Sequence, residues 1–177
     1  MYLPVGELPG RRRTDSEWSW ALDEYRLLAA RIRGSGTRLA LEPLNRFETY
    51  FLNTAEDARR LCDSVADQSI GILFDTFHAN IEEENIVAAL GSLGRHLINV
   101  HLSENNRGVP GSGHVPFKDV ARTLRSTGYS GYAVIESFAS TIPELARATA
   151  IWRDFAESPD AFARSSIENM RPLFTET

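Results

Sequence analysis

Short apolar runs alternate with amphipathic stretches along most of this chain. Four runs of five to seven residues are nearly continuous in apolar character, which is typical of strands covered on both faces. They are Arg38–Glu42, Ser69–Asp75, His96–His101 and Gly131–Glu136. A stretch with helical spacing follows each run. Strands that alternate with helices in this way predict βαβ units and a parallel sheet.

The helical stretches carry recognisable start and stop signals. Thr14 is answered by Glu17 three residues later, which predicts a capping box at the start of a helix over Thr14–Arg33. Gly34 then ends that helix. Further helices are predicted from Thr54, around Ile86 to Leu93, over Lys118–Ser126, and from Pro143 to about Phe155. The tail after Ser158 and Pro159 is too short and mixed in composition for an assignment.

Four strands and at least five helices predict an α/β fold of the (β/α)8 TIM-barrel type, here as an incomplete barrel. A closed barrel needs eight strands and about 250 residues, whereas this chain has 177 residues. We therefore expect residues 1–177 to form the C-terminal part of a single barrel domain whose first strands are missing. Met1 to Gly10 is expected to be a loop that leaves a preceding strand.

Composition and charge narrow the classes of function. The 19 basic and 24 acidic side chains give a net charge of −5, which argues against nucleic-acid binding. No apolar run approaches the roughly 18 residues of a membrane span, and the amino end does not read as a signal peptide. We expect a cytoplasmic protein with no membrane partner. The single cysteine, Cys62, excludes an intramolecular disulfide and a cysteine-rich metal site, and its place on an apolar helical stripe predicts a core position.

The residues that end the four predicted strands are Glu42, Asp75, His101 and Glu136, at intervals of 33, 26 and 35 residues. Each by itself is typical of a solvent-facing or helix-capping residue. Together they occupy one position in four successive repeats, which in a barrel is the carboxyl-terminal rim where active sites form. Three carboxylates meeting there would repel one another without a positive charge. We therefore interpret the quartet as a site for a divalent cation.

The ligand types indicate which cation. Oxygen donors with one nitrogen and no thiolate suit Mn²⁺ or Mg²⁺, with Co²⁺ feasible, better than structural zinc. Three anionic ligands more than neutralise a dication, so one carboxylate could loosen and act as a base.

Four stretches surround the residues of this quartet: Leu41–Glu48, Phe74–Glu83, His101–Arg107 and Val134–Glu136. They resemble the ketose 3-epimerases, the D-tagatose/D-psicose (allulose) 3-epimerase-like enzymes of the xylose-isomerase-like barrel superfamily. The resemblance runs from Tyr2 to about Phe155. It implies that Glu42, Asp75, His101 and Glu136 hold Mn²⁺ or a similar cation. It also implies that Glu48, His78 and Arg107 hydrogen-bond the oxygens of a small-molecule ketose.

The reaction that fits this constellation is epimerisation of a ketose at C3 through a cis-enediolate. Two carboxylates must flank the reacting carbon, one as base and one as acid, and Glu42 and Glu136 are placed for these roles on the outer strands of the set. No basic or glycine-rich phosphate cradle stands out, which favours a free sugar, and the identity and phosphorylation of the sugar stay open.

Other functions stay open at this point. A related sugar isomerase or a polyol dehydratase of the same superfamily would use the same metal chemistry. A metal-dependent endonuclease is disfavoured, because four histidines and a net charge of −5 do not suit a polynuclear site and a basic groove. A catalytically silent half-barrel is the third alternative, since an open sheet leaves edges and apolar surface uncovered. A homo-oligomer is compatible with each of these functions.

Overall fold

The computed structural model describes residues 8–175, which form four strands, seven α-helices and one 3₁₀ turn at Gly94–His96. The strands are β1 (Leu39–Leu41), β2 (Ile70–Asp75), β3 (Leu97–Leu102) and β4 (Tyr132–Ile135). The helices are α1 (Asp15–Ile32), α2 (Ala55–Val65), α3 (Thr76–Glu82), α4 (Ile86–Ser92), α5 (Phe117–Ser126), α6 (Pro143–Thr149) and α7 (Pro159–Thr175).

The four strands form one parallel sheet in the order β1-β2-β3-β4. The strands are joined by helical connections, as parallel pairing requires. This confirms the α/β fold with four parallel strands and an unclosed barrel. Within residues 8–175, β1 and β4 each pair with a single neighbour, so both are edge strands of the described sheet.

The two faces of the sheet differ sharply in burial. One face packs against the helices, with Ile72 and Val100 fully buried in the core. The opposite, concave face carries Tyr132 and Val134, which pair with Asn99 and His101 of β3. Tyr132 is 84% exposed and Val134 39% exposed. At β4, the face that the strands of a closed barrel would enclose is therefore open to solvent, whereas at β2 the same face buries Asp75.

The predicted helix signals hold at the start of α1 and in α2. Thr14 Oγ1 accepts from the Glu17 backbone N–H at 3.2 Å, and Glu17 Oε2 accepts from the Thr14 backbone N–H at 2.7 Å, so the capping box is present. Cys62 lies on the buried face of α2 and is 2% exposed, which confirms its predicted core position.

Three helical segments differ from the prediction. Helix α3, which was not predicted, begins directly after β2 because the Asp75 carboxylate caps it by accepting from the Phe77 backbone N–H at 2.7 Å. Helix α6 ends at Thr149 and not near Phe155, because Ala150 takes a left-handed conformation and the Ile151 N–H bonds back to the Ala146 carbonyl.

The tail that received no assignment forms helix α7, which buries Phe162, Ser166 and Met170 at a helical spacing of four. The predicted loop at Met1 to Gly10 lies mostly outside the described residues. None of the described helices is long and apolar enough to cross a membrane.

Candidate metal centre and its surroundings

The four predicted ligands lie at the carboxyl-terminal edge of the sheet. Glu42 directly follows β1, Asp75 ends β2, His101 is the penultimate residue of β3, and Glu136 directly follows β4. Asp75 is paired with His101 across the β2–β3 ladder. Since paired residues of neighbouring strands point to the same face, their side chains project together onto the concave face.

The quartet converges in space. Glu42, Asp75 and His101 each offer one ligand atom, and these atoms lie within 4.8 Å of one another. Glu136 joins them through His101, whose Nδ1 lies 3.2 Å from Glu136 Oε1. The Asp75 side chain is fully buried, whereas Glu42 and Glu136 keep about a quarter of their side-chain surface exposed (29% and 25%).

Arg107 brings a positive charge into this cluster. Its Nη1 donates to Asp75 Oδ2 at 2.8 Å, to Glu136 Oε2 at 2.6 Å and to Ser103 Oγ at 3.0 Å. The guanidinium carbon stands 4.0 Å from the ring centre of Phe77 and 5.2 Å from that of Phe138. Arg107 is 6% exposed, so a fixed buried cation bridges two of the predicted metal ligands.

His78 and Glu48, the other predicted sugar-binding residues, are joined to this cluster. His78 is 3% exposed, and its Nε2 lies 3.8 Å from Glu42 Oε1 and 3.2 Å from Arg107 Nη2. Burial lowers the pKa of His78 to about 4, so the ring is neutral at ordinary pH. Glu48 contacts Asn45, which in turn contacts His78.

The two glutamates sit in opposite electrostatic environments. Burial, followed by the charge of Asp75, raises the pKa of Glu42 to about 7. Burial alone would also raise the pKa of Glu136, but His101 and Arg107 outweigh it and bring the pKa to about 2. The same contact with Glu136 raises the pKa of His101 against the opposing effect of burial.

The donor set fits a divalent cation. His101 Nδ1 is buried, faces the Glu136 carboxylate, and has no hydrogen-bond partner of acceptable geometry within residues 8–175. A buried nitrogen of this kind usually has a partner, and a coordinated cation would supply one. Carboxylate oxygens with one imidazole nitrogen and no thiolate suit Mn²⁺ or Mg²⁺.

Glu104 is a residue of the site region that the sequence did not single out. It is fully buried, and its carboxylate accepts from the backbone N–H groups of Asn105, Gly111 and Val115 at 2.8 to 3.0 Å. It therefore anchors the loop that carries Arg107. No spacing or periodicity marks this residue, because its partners are backbone groups spread along an irregular loop.

Comparison with known proteins places the chain in a family. The xylose isomerase-like TIM barrel family matches residues 2–171. The chain belongs to this family. A probable ketose 3-epimerase of Synechocystis sp. is 33% identical over 171 residues, which are 97% of this chain and 60% of that protein. The crystal structure of D-psicose 3-epimerase with D-tagatose from Clostridium cellulolyticum H10 superposes with a TM-score of 0.86 at 28% identity, over 97% of this chain and 61% of that one.

A relative named for a different reaction also matches. The 3-dehydro-D-guloside 4-epimerase of Escherichia coli is 37% identical over 125 residues, which are 71% of this chain and 48% of that protein. This barrel chain therefore spans about half to three fifths of the length of these three relatives, from 48% to 61%. The resemblance to the ketose 3-epimerases is confirmed.

Proposed function

We propose that this xylose isomerase-like chain carries the metal centre of a ketose 3-epimerase, an isomerase that inverts C3 of a free ketose. The observation that carries the proposal is the convergence of Glu42, Asp75 and His101 within 4.8 Å, with Glu136 beside His101, at the rim of the sheet. The names of the relatives support a 3-epimerase. We expect such an enzyme to act in the cytoplasm.

The proposed metal ligands are Glu42, Asp75, His101 and Glu136, with Mn²⁺ as the expected ion and Co²⁺ or Mg²⁺ as alternatives. When bound, the dication would act as a Lewis acid that offsets negative charge on the ketose oxygens. Arg107 is already hydrogen-bonded to Asp75 and Glu136, so it holds these two carboxylates in place. Chelation of the metal should abolish turnover, and re-addition of Mn²⁺ should restore it.

Epimerisation at C3 needs one group that removes the C3 proton and another that returns a proton to the opposite face. Removal of the proton leaves its electron pair to form the C2–C3 double bond of a cis-enediolate, with the negative charge on O2. Glu42 and Glu136 stand on the outer strands of the set and each keep about a quarter of the side-chain surface exposed, so both carboxylates can face a bound sugar. We propose that they serve as the paired acid and base. The roles exchange with the configuration of the substrate.

We propose that His78, Arg107 and Glu48 bind the sugar oxygens. His78 is neutral and buried, and Arg107 is a fixed cation, so both can donate hydrogen bonds to an oxygen that gains negative charge. Glu48 can accept from a sugar hydroxyl while it remains hydrogen-bonded to Asn45.

Exchange of the C3 hydrogen with solvent tests the acid/base assignment. In D₂O, the active protein should place deuterium at C3 of the ketose, and Glu136→Gln should abolish this exchange while metal binding is weakened but still measurable. Glu144→Gln on the exposed side of α6 is a matched control that should exchange normally. Retained exchange in Glu136→Gln would remove this residue from the acid/base role.

A second candidate is epimerisation at C4 of a keto sugar, favoured by the 37% identity to the 3-dehydro-D-guloside 4-epimerase. A related sugar isomerase or a polyol dehydratase would use the same centre. Product analysis with a panel of ketoses and keto-glycosides separates these reactions, because each yields a different stereoisomer or a dehydrated product.

A further inference from the structure

Asn45 lies between two of the proposed sugar-binding residues. It follows β1 in the chain and is 2% exposed. Its backbone nitrogen is 3.1 Å from His78 Nδ1, and its side-chain Nδ2 is 2.9 Å from the same atom. Nδ2 also donates to Glu48 Oε1 at 2.8 Å. One buried asparagine therefore contacts both His78 and Glu48.

The orientation of the Asn45 amide is fixed by two neighbours of known polarity. The Phe47 backbone N–H donates to Asn45 Oδ1 at 2.9 Å, and the Glu48 carboxylate accepts from Nδ2. If the amide were turned by half a rotation, its oxygen would face the carboxylate and its NH₂ would face the Phe47 N–H. Both contacts would then be repulsive, so the NH₂ group faces His78.

The two Asn45 groups that face His78 Nδ1 are both donors. A backbone N–H can only donate, and so can the amide NH₂, so Nδ1 must offer its lone pair. A neutral histidine then carries its proton on Nε2. We propose that Asn45 is a positioning residue that fixes His78 in the Nε2-protonated form and holds Glu48 beside it.

The protonation of His78 does not depend on the proposed function, whereas the role of His78 toward the sugar rests on it. His78 Nε2 lies 3.8 Å from Glu42 Oε1 and 3.2 Å from Arg107 Nη2. Arg107 can only donate, so this one contact opposes a proton on Nε2, whereas two shorter contacts with donors, one of them a backbone N–H that cannot turn away, oppose a proton on Nδ1. A ketose oxygen between Nε2–H and Nη2 could accept from both of these donors. His78 should therefore donate to an oxygen of the ketose and should not accept from a hydroxyl there.

The tautomer can be read directly by NMR on the full chain labelled with ¹⁵N-histidine, both metal-free and with Mg²⁺. His78→Gln assigns the His78 ring signals among the four histidines. At neutral pH we expect the long-range ¹H–¹⁵N pattern of a neutral ring protonated at Nε2. A ring protonated at Nδ1, or a doubly protonated ring, would overturn the proposal whether or not the protein is an epimerase.

Asn45→Asp tests the contribution of the side chain. It replaces the NH₂ donor with a carboxylate oxygen, an acceptor that competes with the remaining backbone donor, so protonation of Nδ1 should rise above the wild-type level. Asn53→Asp is the matched control in the same loop, since Asn53 Nδ2 donates to the carbonyl oxygens of Leu44 and Thr49. The control should lower stability but keep the Nε2 pattern. An unchanged His78 pattern in Asn45→Asp would overturn the role of the side chain.

Asn45→Ala provides a second variant if Asn45→Asp does not fold. It keeps the backbone donor, so His78 should stay protonated at Nε2, and loss of that pattern would contradict the assignment of the tautomer to the backbone N–H. With a ketose substrate, release of Glu48 should lower kcat/KM about 10-fold. A wild-type chain that shows the Nε2 pattern without any turnover would refute the proposed function and leave the positioning role intact.

Discussion

Glu42 is a half-buried acid held where its charge is unfavourable, and its protonation therefore affects stability. Its pKa in the fold is about 7 against an ordinary value of 4.5. A raised carboxyl pKa contributes stability that is fully present below pH 4.5 and is lost as the pH rises through 7. In the metal-free chain at pH 8, Glu42 is ionised, so the fold bears the full free-energy cost of holding this charge away from water.

Glu42→Gln should therefore stabilise the metal-free chain at pH 8. The free energy of unfolding should rise by about 2 kcal/mol, and this increase should vanish near pH 4.5. The figure is smaller than the full pKa shift would give, because 29% of the side chain stays exposed to water. Urea unfolding at the two pH values measures this difference. Glu144→Gln, an exposed glutamate of α6, should change stability by the same small amount at both. A pH-independent effect of Glu42→Gln would contradict the burial of this charge.

The sequence predicted the positions of the four strand-end residues, and the structure brings their side chains to one rim. Their common position could be predicted because one residue per βα unit recurs at a similar interval. The contacts of Arg107 with Asp75 and Glu136 could not be predicted from the sequence. They depend on a left-handed backbone at Arg107, with φ of 62°, inside a loop without periodicity. The roles of these residues as metal ligands and catalysts stay predictions.

At the scale of elements, the loop between β3 and α5 is held together by one buried carboxylate. Glu104 accepts from three backbone N–H groups of this loop, and Gly113 packs directly against it. A Cβ at Gly113 would lie 2.6 Å from Glu104 Oε1 and 2.1 Å from Asn105 Oδ1. The loop therefore has no room for a larger residue at this position.

Gly113→Ala should destabilise the fold by about 1–3 kcal/mol, because the added methyl group must displace these oxygens. Gly91→Ala in α4 is the matched control, since its Cβ would meet only the Thr123 methyl group at an ordinary 3.5 Å. The control should be neutral or should stabilise by up to about 1 kcal/mol through better helix propensity. Chemical denaturation of the two variants measures both effects, and equal stabilities would show that the Glu104 anchor does not constrain the loop.

The strands and most helices were predictable, whereas three helical segments were not, for identifiable reasons. Helix α3 starts in the residue after β2, without the turn residues that usually separate two elements. Helix α6 stops at a left-handed alanine, Ala150, where no glycine marks the end. In α7, Pro172 lies inside the helix and polar residues surround the buried positions, so the apolar stripe is thin. Tertiary packing decides the outcome in α7, whereas the bounds of α3 and α6 are set by local backbone contacts that the apolar pattern does not reveal.

At the scale of the whole molecule, the open concave face should drive self-association of the isolated 177-residue chain. An edge strand with exposed apolar side chains is a template for pairing, and charged residues on such a strand oppose it. Tyr132→Lys should therefore shift the chain toward monomer in sedimentation analysis. Trp152→Lys replaces an aromatic residue of similar exposure, 73%, that lies outside the sheet. An equal effect of both changes would show that general hydrophobicity, not the strand, drives association.

The isolated chain should turn over ketoses slowly even though it holds all four proposed metal ligands. The rim of a closed barrel is formed by eight strands, and this sheet supplies four of them. The proposed sugar pocket is therefore walled on one side only. A direct assay of the metal-loaded 177-residue chain measures this, and turnover comparable to that of a full-length 3-epimerase would contradict it.

Labelling of Cys62 can report the local opening of helix α2. It is the single thiol of the chain, it lies on the buried face of α2 at 2% exposure, and burial raises its pKa to about 11. A thiol-specific label can reach it only when α2 separates from the elements packed against it. The labelling rate of Cys62 with and without Mg²⁺ would then show whether an ion bound at the rim slows the local opening of α2.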